Sequence, residues 1–255
     1  MNFISMNYGD DPSQFVELIS DLERNEVIPE AIVKVAVLIH GGFWRGVYDL
    51  TLMNDLGVFL SKRVDLIFNV EYRRLTGGGG WPTTFDDVVS AVRLIMANLE
   101  DRRGESTTFK VFFVGHSAGG HLASLANSYF TGLNLDGFDF YGISLGGVLD
   151  LEIGFDDHIG DGVVGQFLAI TDRPTLELLS QASPRHRLSG DETGLVVTGG
   201  KDLVVPLSIA ESFVRRAREV GANIEYVDFA NEDHMDLIGT SSKSIEAVVD
   251  YIGRQ

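Results

Sequence analysis

Gly115-His116-Ser117-Ala118-Gly119 is the segment whose residue types and spacing point most directly to covalent chemistry. A serine hydroxyl becomes a nucleophile only when a base takes its proton during attack. The flanking glycines permit a turn tight enough to lift that hydroxyl clear of its surroundings. By composition alone, a G-x-S-x-G pentapeptide arises in roughly one chain in ten of this length, so its context must decide. The apolar run Val111–Val114 precedes it and a helix-compatible stretch, Gly120–Asn127, follows. Strand, turn and helix is the setting in which the motif carries a nucleophile, next to a helix N-terminus that favours developing negative charge.

Ser117 then needs a base and an acid. The chain has six histidines: His40, His116, His121, His158, His186 and His234. For a nucleophile on such a turn, the partners follow in the order Ser, then Asp or Glu, then His. His40 and His116 precede Ser117, and His121 leaves no room for an acid on a separate strand. His158 falls in a Gly- and acid-rich stretch and His186 in Ser-Pro-Arg-His-Arg. His234 alone follows a strand-like run, Ile224–Phe229, through the loop Ala230–Asp233, and is the expected base. Asp202 ends the segment Leu195-Val196-Val197-Thr198-Gly199-Gly200-Lys201-Asp202, one element earlier, and is the expected acid. Asp233 and Asp236 lie nearer in sequence, but adjacency along the chain does not deliver a carboxylate to the imidazole Nδ1.

Negative charge on the attacked carbonyl oxygen requires backbone N–H donors aimed at it. Ala118, immediately after the nucleophile, is one candidate. The stretch His40-Gly41-Gly42-Phe43-Trp44, directly after the run Val33–Ile39, supplies the amides of Gly42 and Phe43, with Gly41 shaping the turn.

These residues need a scaffold. Near-continuous apolar runs at Val33–Ile39, Val64–Val70, Phe109–Val114, Phe138–Ile143, Leu195–Thr198 and Ile224–Phe229 suit strands covered on both faces. Helical stripes at Phe85–Leu99 and Ile209–Val220 lie between them. The alternation predicts an α/β fold with a mostly parallel sheet. Gln14–Ser20 is expected as an antiparallel edge strand. Gly77–Gly80, within Thr76–Pro82, reads as a mobile loop, since the Lys-Ser/Thr of a phosphate loop is replaced by Trp81-Pro82. Leu145–Ser183 reads as a cap-like excursion over the C-terminal edge of the sheet, within a single domain spanning residues 1–255.

Composition narrows the partners. The net charge of −17 repels polyanions such as nucleic acid, and a chain without cysteine has neither disulfides nor thiolate ligands. The N-terminus lacks the pattern of a signal peptide, and no apolar run reaches the ~18 residues of a membrane span. The expectation is a cytoplasmic protein that binds a small molecule and neither nucleic acid nor membrane. Its oligomeric state stays open, a homodimer included.

His40-Gly41-Gly42-Phe43-Trp44 resembles the H-G-G-x-W motif of kynurenine formamidases, a branch of the α/β-hydrolases close to the hormone-sensitive-lipase-like esterases. Gly115-His116-Ser117-Ala118-Gly119-Gly120-His121 is similar to that group's nucleophile segment. Glu71-Tyr72-Arg73, Trp81-Pro82 with Asp87, Ser183-Pro184 and the surroundings of Asp202 and His234 extend the likeness from about Tyr8 to the C-terminus. The resemblance implies the α/β-hydrolase fold, a Ser117–His234–Asp202 triad, no cofactor and no metal. It also implies cleavage of an aryl formamide such as N-formylkynurenine, with Phe43 and Trp44 stacking on an aromatic leaving group. Lipase-like esterases carry a third glycine where Phe43 stands, which leans toward the formamidase side. A carboxylesterase of short-chain acyl esters would use the same residues, and a hydrolase-fold binding protein without activity is the remaining alternative. Asp156-Asp157-His158 is read as a solvated loop rather than a metal site.

Overall fold

Eight short runs pair into one sheet in the computed structural model, which describes residues 2–20, 32–104 and 106–255. The strands are β1 (Asn2–Asn7), β2 (Phe15–Ser20), β3 (Ile32–Ile39), β4 (Leu66–Val70), β5 (Thr108–His116), β6 (Phe138–Leu145), β7 (Thr193–Gly199) and β8 (Asn223–Phe229). The α-helices are α1 (Asn54–Leu60), α2 (Thr83–Glu100), α3 (Ala118–Thr131), α4 (Leu151–Asp156), α5 (Ile159–Leu168), α6 (Leu176–Ala182), α7 (Pro184–Arg187), α8 (Leu207–Val220) and α9 (Lys243–Arg254). The strand order is β1-β2-β4-β3-β5-β6-β7-β8. β2 runs antiparallel to β1 and β4, and every pairing from β4 through to β8 is parallel.

β2 is therefore antiparallel as expected but does not form the edge, because β1 covers it. The alternation that turns Ile4 and Met6 toward the core spans too few residues to stand out in the sequence. Successive side chains of a strand point to opposite faces. Val33, Val35, Val37 and Ile39 of β3 thus join the core built with α2, α3 and α8. Ala36 and Leu38 join the core built with α1 and α9. Both faces being covered is the reason the central strands read as unbroken apolar runs. In α9, Ile245, Val248 and Ile252 recur at helical spacing on the buried side, and the Ser242 side chain caps the first turn by accepting from the Ile245 amide.

The register aligns the C-terminal ends of the parallel strands. Ile39 pairs with Gly115, His116 with Leu145, Leu145 with Val197, and Gly199 with Phe229. The loops that leave these ends carry His40–Trp44, Ser117, Gly146, Asp202 and His234, the edge where open α/β sheets hold ligands.

The stretch between β6 and β7 carries α4 to α7. It begins α5 with a left-handed turn through Gly160, Asp161 and Gly162 at φ 53°, 58° and 73°. Arg45 donates to the Gly160 carbonyl at 2.8 Å, and Phe167 stacks on Trp44 with centroids 4.3 Å apart. The Gly77–Gly80 region is tied down rather than free. The Gly79 amide donates to Arg74 O at 2.9 Å, Gly80 to Thr84 Oγ1 at 2.9 Å, and Trp81 to Phe167 O at 2.8 Å. The first two bonds are local, closing on residues five and four positions away, and the third reaches across to α5, none of which glycine content reveals. Among the described residues, no helix is long and apolar enough to cross a membrane.

Asp87 of α2 ties the start of β2 to the end of β4. Its carboxylate accepts from Gln14 Nε2 at 2.7 Å, from the Arg73 amide at 2.9 Å and from Arg73 Nε and a terminal nitrogen at 2.9 and 2.7 Å. Asp87→Ala would leave these donors unpaired beside a buried side chain. It is expected to cost about 3 kcal/mol, read from urea unfolding midpoints.

His116 and His121 are both enclosed in this framework. Burial holds His121 down at about 4, and burial together with the charge of His234 holds His116 at about 3. Both therefore stay neutral in the folded chain while their unfolded counterparts protonate near pH 6.5. Stability is expected to be intact above pH 6.5 and to fall as pH drops toward 4, with about one proton taken up on unfolding per histidine. Urea midpoints at pH 7, 6 and 5 measure this. Midpoints that do not move would contradict it, and His121→Gln should reduce the slope.

Candidate active site

The β5–α3 junction places Ser117 at φ 56° and ψ −119°, a left-handed conformation for a residue with a side chain. Such a backbone costs on the order of 1–3 kcal/mol and persists only where the surroundings over-determine it. Here they do. The Ser117 amide donates to Leu145 O at 2.9 Å, and the Ser117 carbonyl accepts from the His121 amide at 3.2 Å. Gly119 lies so close to β3 that a Cβ there would stand 2.0 Å from Ile39 O. Ser117 itself is buried at the N-terminus of α3.

The loop after β3 lies against this turn. A Cβ on Gly41 would approach Ser117 Cβ to 3.0 Å. Gly42, Phe43 and Trp44 are left-handed in succession at φ 108°, 53° and 54°, closed by the Arg45 amide donating to Gly42 O at 2.9 Å. His40 anchors the loop. Its ring stacks on Tyr72 at 4.2 Å, its Nδ1 lies 2.8 Å from Gly41 O, and its Nε2 lies 3.1 Å from Glu71 Oε1. Glu71 is buried and also accepts from the amides of Leu50 and Tyr72 at 3.0 and 2.9 Å. The Ala118 amide, first in α3, has no carbonyl to receive it within the helix.

Asp202 and His234 meet at 2.7 Å between Oδ2 and Nδ1. A carboxylate only accepts, so the proton sits on Nδ1 and leaves Nε2 unprotonated in the neutral ring. Burial pushes the Asp202 carboxyl up. The hydrogen bond and charge of His234, with the amides of Val205 and Val204, outweigh that and hold it below the usual carboxylate range. The loops carrying the two residues are joined, since the Gly200 amide donates to Phe229 O at 2.9 Å and the Lys201 amide to Glu232 O at 3.0 Å. Gly146, at the end of β6, packs on the pair: a Cβ there would stand 3.2 Å from both Asp202 Oδ2 and His234 Nδ1. Leu145 O receives the Ser117 amide one residue earlier, so the end of β6 brings the serine turn and the Asp–His pair together.

The remaining candidates have other partners. His158 Nδ1 lies 3.0 Å from Phe155 O, and His186 Nδ1 lies 3.1 Å from Ser183 Oγ. Asp233 and Asp236 shape the loop of His234: Asp233 Oδ1 accepts from the amides of Met235 and Asp236, and Asp236 Oδ2 accepts from the Asp233 amide. Asp156 pairs with Arg173 at 2.7 Å. No group of three or more His, Asp or Glu side chains among the described residues is arranged to hold a metal ion.

Trp44 requires a correction. It is wholly buried, stacked on Phe167 and edge-on to His121 at 5.2 Å, so it forms core rather than a surface for a leaving group. The left-handed turn rotates it inward, which residue type does not disclose. Phe43 is half-buried, with its ring against Gly160. Sequence reasoning did not single out Gly146, whose proximity to the Asp–His pair comes from strand register. Nor did it give a role to His116, whose ring lies 4.5 Å from that of His234.

Comparison with known proteins places this geometry. The model of the prolyl oligopeptidase family matches residues 82–254, more than half of the chain, and the model BD-FAE matches residues 24–139. Esterase LipC of Mycobacterium tuberculosis is 26% identical over 91% of this chain, which spans 59% of that protein's length. Esterase B of Lactobacillus rhamnosis, solved with a tributyrin phosphonate, superposes with a TM-score of 0.76 at 16% identity, covering 100% of this chain and 86% of the other. Butyrate-bound esterase 2 of Thermogutta terrifontis gives 0.73 at 16% identity, covering 99% and 94%. These likenesses identify the sheet and its helices as an α/β-hydrolase fold. On the strength of the match over residues 82–254, the chain belongs to the prolyl oligopeptidase family.

Proposed function

We propose that the chain is a serine carboxylesterase acting on short-chain acyl esters through Ser117, His234 and Asp202. The observation that carries this reading is the 2.7 Å Asp202–His234 bond set against the Ser117 turn at the end of β6. Ser117 Oγ attacks the ester carbonyl carbon while His234 Nε2 takes its proton. The oxyanion that forms is met by the amides of Ala118 and of Gly42 or Phe43. Collapse of this intermediate breaks the acyl C–O bond, and His234 returns the proton to the departing alkoxide as an alcohol. Water then attacks the acyl-serine, again giving its proton to His234, and the carboxylic acid leaves as Ser117 regains its own. Asp202 holds the Nδ1–H tautomer and offsets the imidazolium charge. On this reading, Leu145–Ser183 acts as a cap over the cleft within one domain.

An ester substrate is favoured over a formamide by the esterases among the similar proteins. Burial of Trp44 also removes one of the two aromatic residues that favoured an aryl leaving group. Arylformamidase activity is the second reading, favoured by Phe43, which stands where lipase-like esterases have a third glycine and is only half-buried.

Rates on p-nitrophenyl acyl esters and on N-formylkynurenine, measured side by side, separate these readings. A higher kcat/KM on the short acyl esters is expected. The reverse order would replace the first reading by the second, and a wild-type chain that neither turns over these substrates nor reacts with a fluorophosphonate would sink both. Ser117→Ala should lower kcat by at least ~10⁴-fold with the fold retained. Asp202→Asn should lower it by about 10³- to 10⁴-fold by allowing the wrong tautomer.

A further inference from the structure

We propose that His116, the residue before the nucleophile, is a positioning residue that holds the His234 loop through a hydrogen bond from its Nε2 to the His234 carbonyl. The proposal rests on the assignment of His234 as the base. His116 Nε2 lies 2.9 Å from His234 O, and a carbonyl only accepts, so the ring carries its proton on Nε2. Among the described residues its buried Nδ1 has no partner, and a Cβ on Gly41 would come within 3.1 Å of it. The ring thus borders the oxyanion loop and lies at 4.5 Å and 44° to the His234 ring.

Packing alone does not account for a histidine here. A buried ring nitrogen without a partner costs on the order of 1–3 kcal/mol, which an apolar side chain of similar volume would avoid. What the imidazole supplies in exchange is a donor for the main chain of the base itself. Because His116 belongs to β5 and directly precedes Ser117, this bond couples the position of the base to the strand that carries the nucleophile. Asp202 fixes the His234 ring at Nδ1, and His116 fixes the backbone from which that ring extends. Burial, with the charge of His234, keeps His116 neutral down to about pH 3, so it places no second positive charge beside the imidazolium formed during attack.

Two substitutions separate a positioning role from a structural one. The amide nitrogen of Gln reaches the place of a histidine Nε2, whereas that of Asn reaches only the place of Nδ1. His116→Gln is therefore expected to keep kcat within about threefold of wild type. His116→Asn should lose about 10- to 100-fold in kcat with KM within about twofold, as a misplaced catalytic group does. The His234 Nδ1 proton, held against Asp202, should give a downfield, exchange-protected NMR signal in wild type and His116→Gln that is weakened or lost in His116→Asn. Thermal midpoints of all three chains are measured alongside. Equal activity and an unchanged signal in both variants would overturn the proposal, as would losses in both that track their midpoints. The NMR signal does not depend on turnover. An inactive wild type with the signal intact would count against the esterase reading, while the signal's response to the two variants would still decide the role of His116.

Discussion

The close approach of three chain segments at Ser117 is the constraint on which the rest of the site depends. The turn holds φ 56° because β5 enters it from one side, α3 leaves it on the other, and β3 presses on it from beneath. No side chain fits at Gly119, where a Cβ would collide with Ile39 O. Released from this packing, the serine would relax to an ordinary conformation and its hydroxyl would leave the strand edge. The left-handed backbone is therefore a consequence of sheet packing, and the glycines on either side are its precondition.

Every other candidate group is placed relative to that turn by parallel pairing. The adjacent strands β3, β5, β6, β7 and β8 end within three residues of one another in register. Their loops consequently converge without a dedicated scaffold. The loops are then cross-linked by hydrogen bonds in the interior: His40 with Glu71, Asp202 with His234, and His116 with the His234 carbonyl. A buried polar group left unpaired is costly, so each of these links specifies one arrangement more sharply than apolar packing would. The stretch carrying α4 to α7 is fastened to the same assembly, through Arg45 at Gly160 and Trp44 at Phe167.

Much of this was legible in the residues. The central strands and the long helices α2 and α8 follow from apolar periodicity, and the Ser, Asp and His candidates follow from their positions after strand-like runs. Three features were not legible, each for a physical reason. β1 is a short strand whose inward residues gain their meaning only from pairing with β2. Gly77–Gly80 has the composition of a loose loop, and neither its local bonds to Arg74 and Thr84 nor the bond of Trp81 to the distant Phe167 is encoded by glycine content. Trp44 has the residue type of a binding-site aromatic but is rotated into the core by the left-handed run that precedes it.

By itself the sequence determined which loops could carry chemistry. The strand-to-helix turn at Ser117, the Gly41–Gly42 pair after β3, and the order of Ser117, Asp202 and His234 all rest on local sterics and chain order, which depend on neighbours along the chain. Only the tertiary structure decided which groups meet. That Gly146 lies against the Asp202–His234 pair and that His116 reaches the His234 carbonyl both depend on register and packing between strands far apart in sequence. Residue patterns encode the period of each strand, but contacts across the sheet are set by how the strands align.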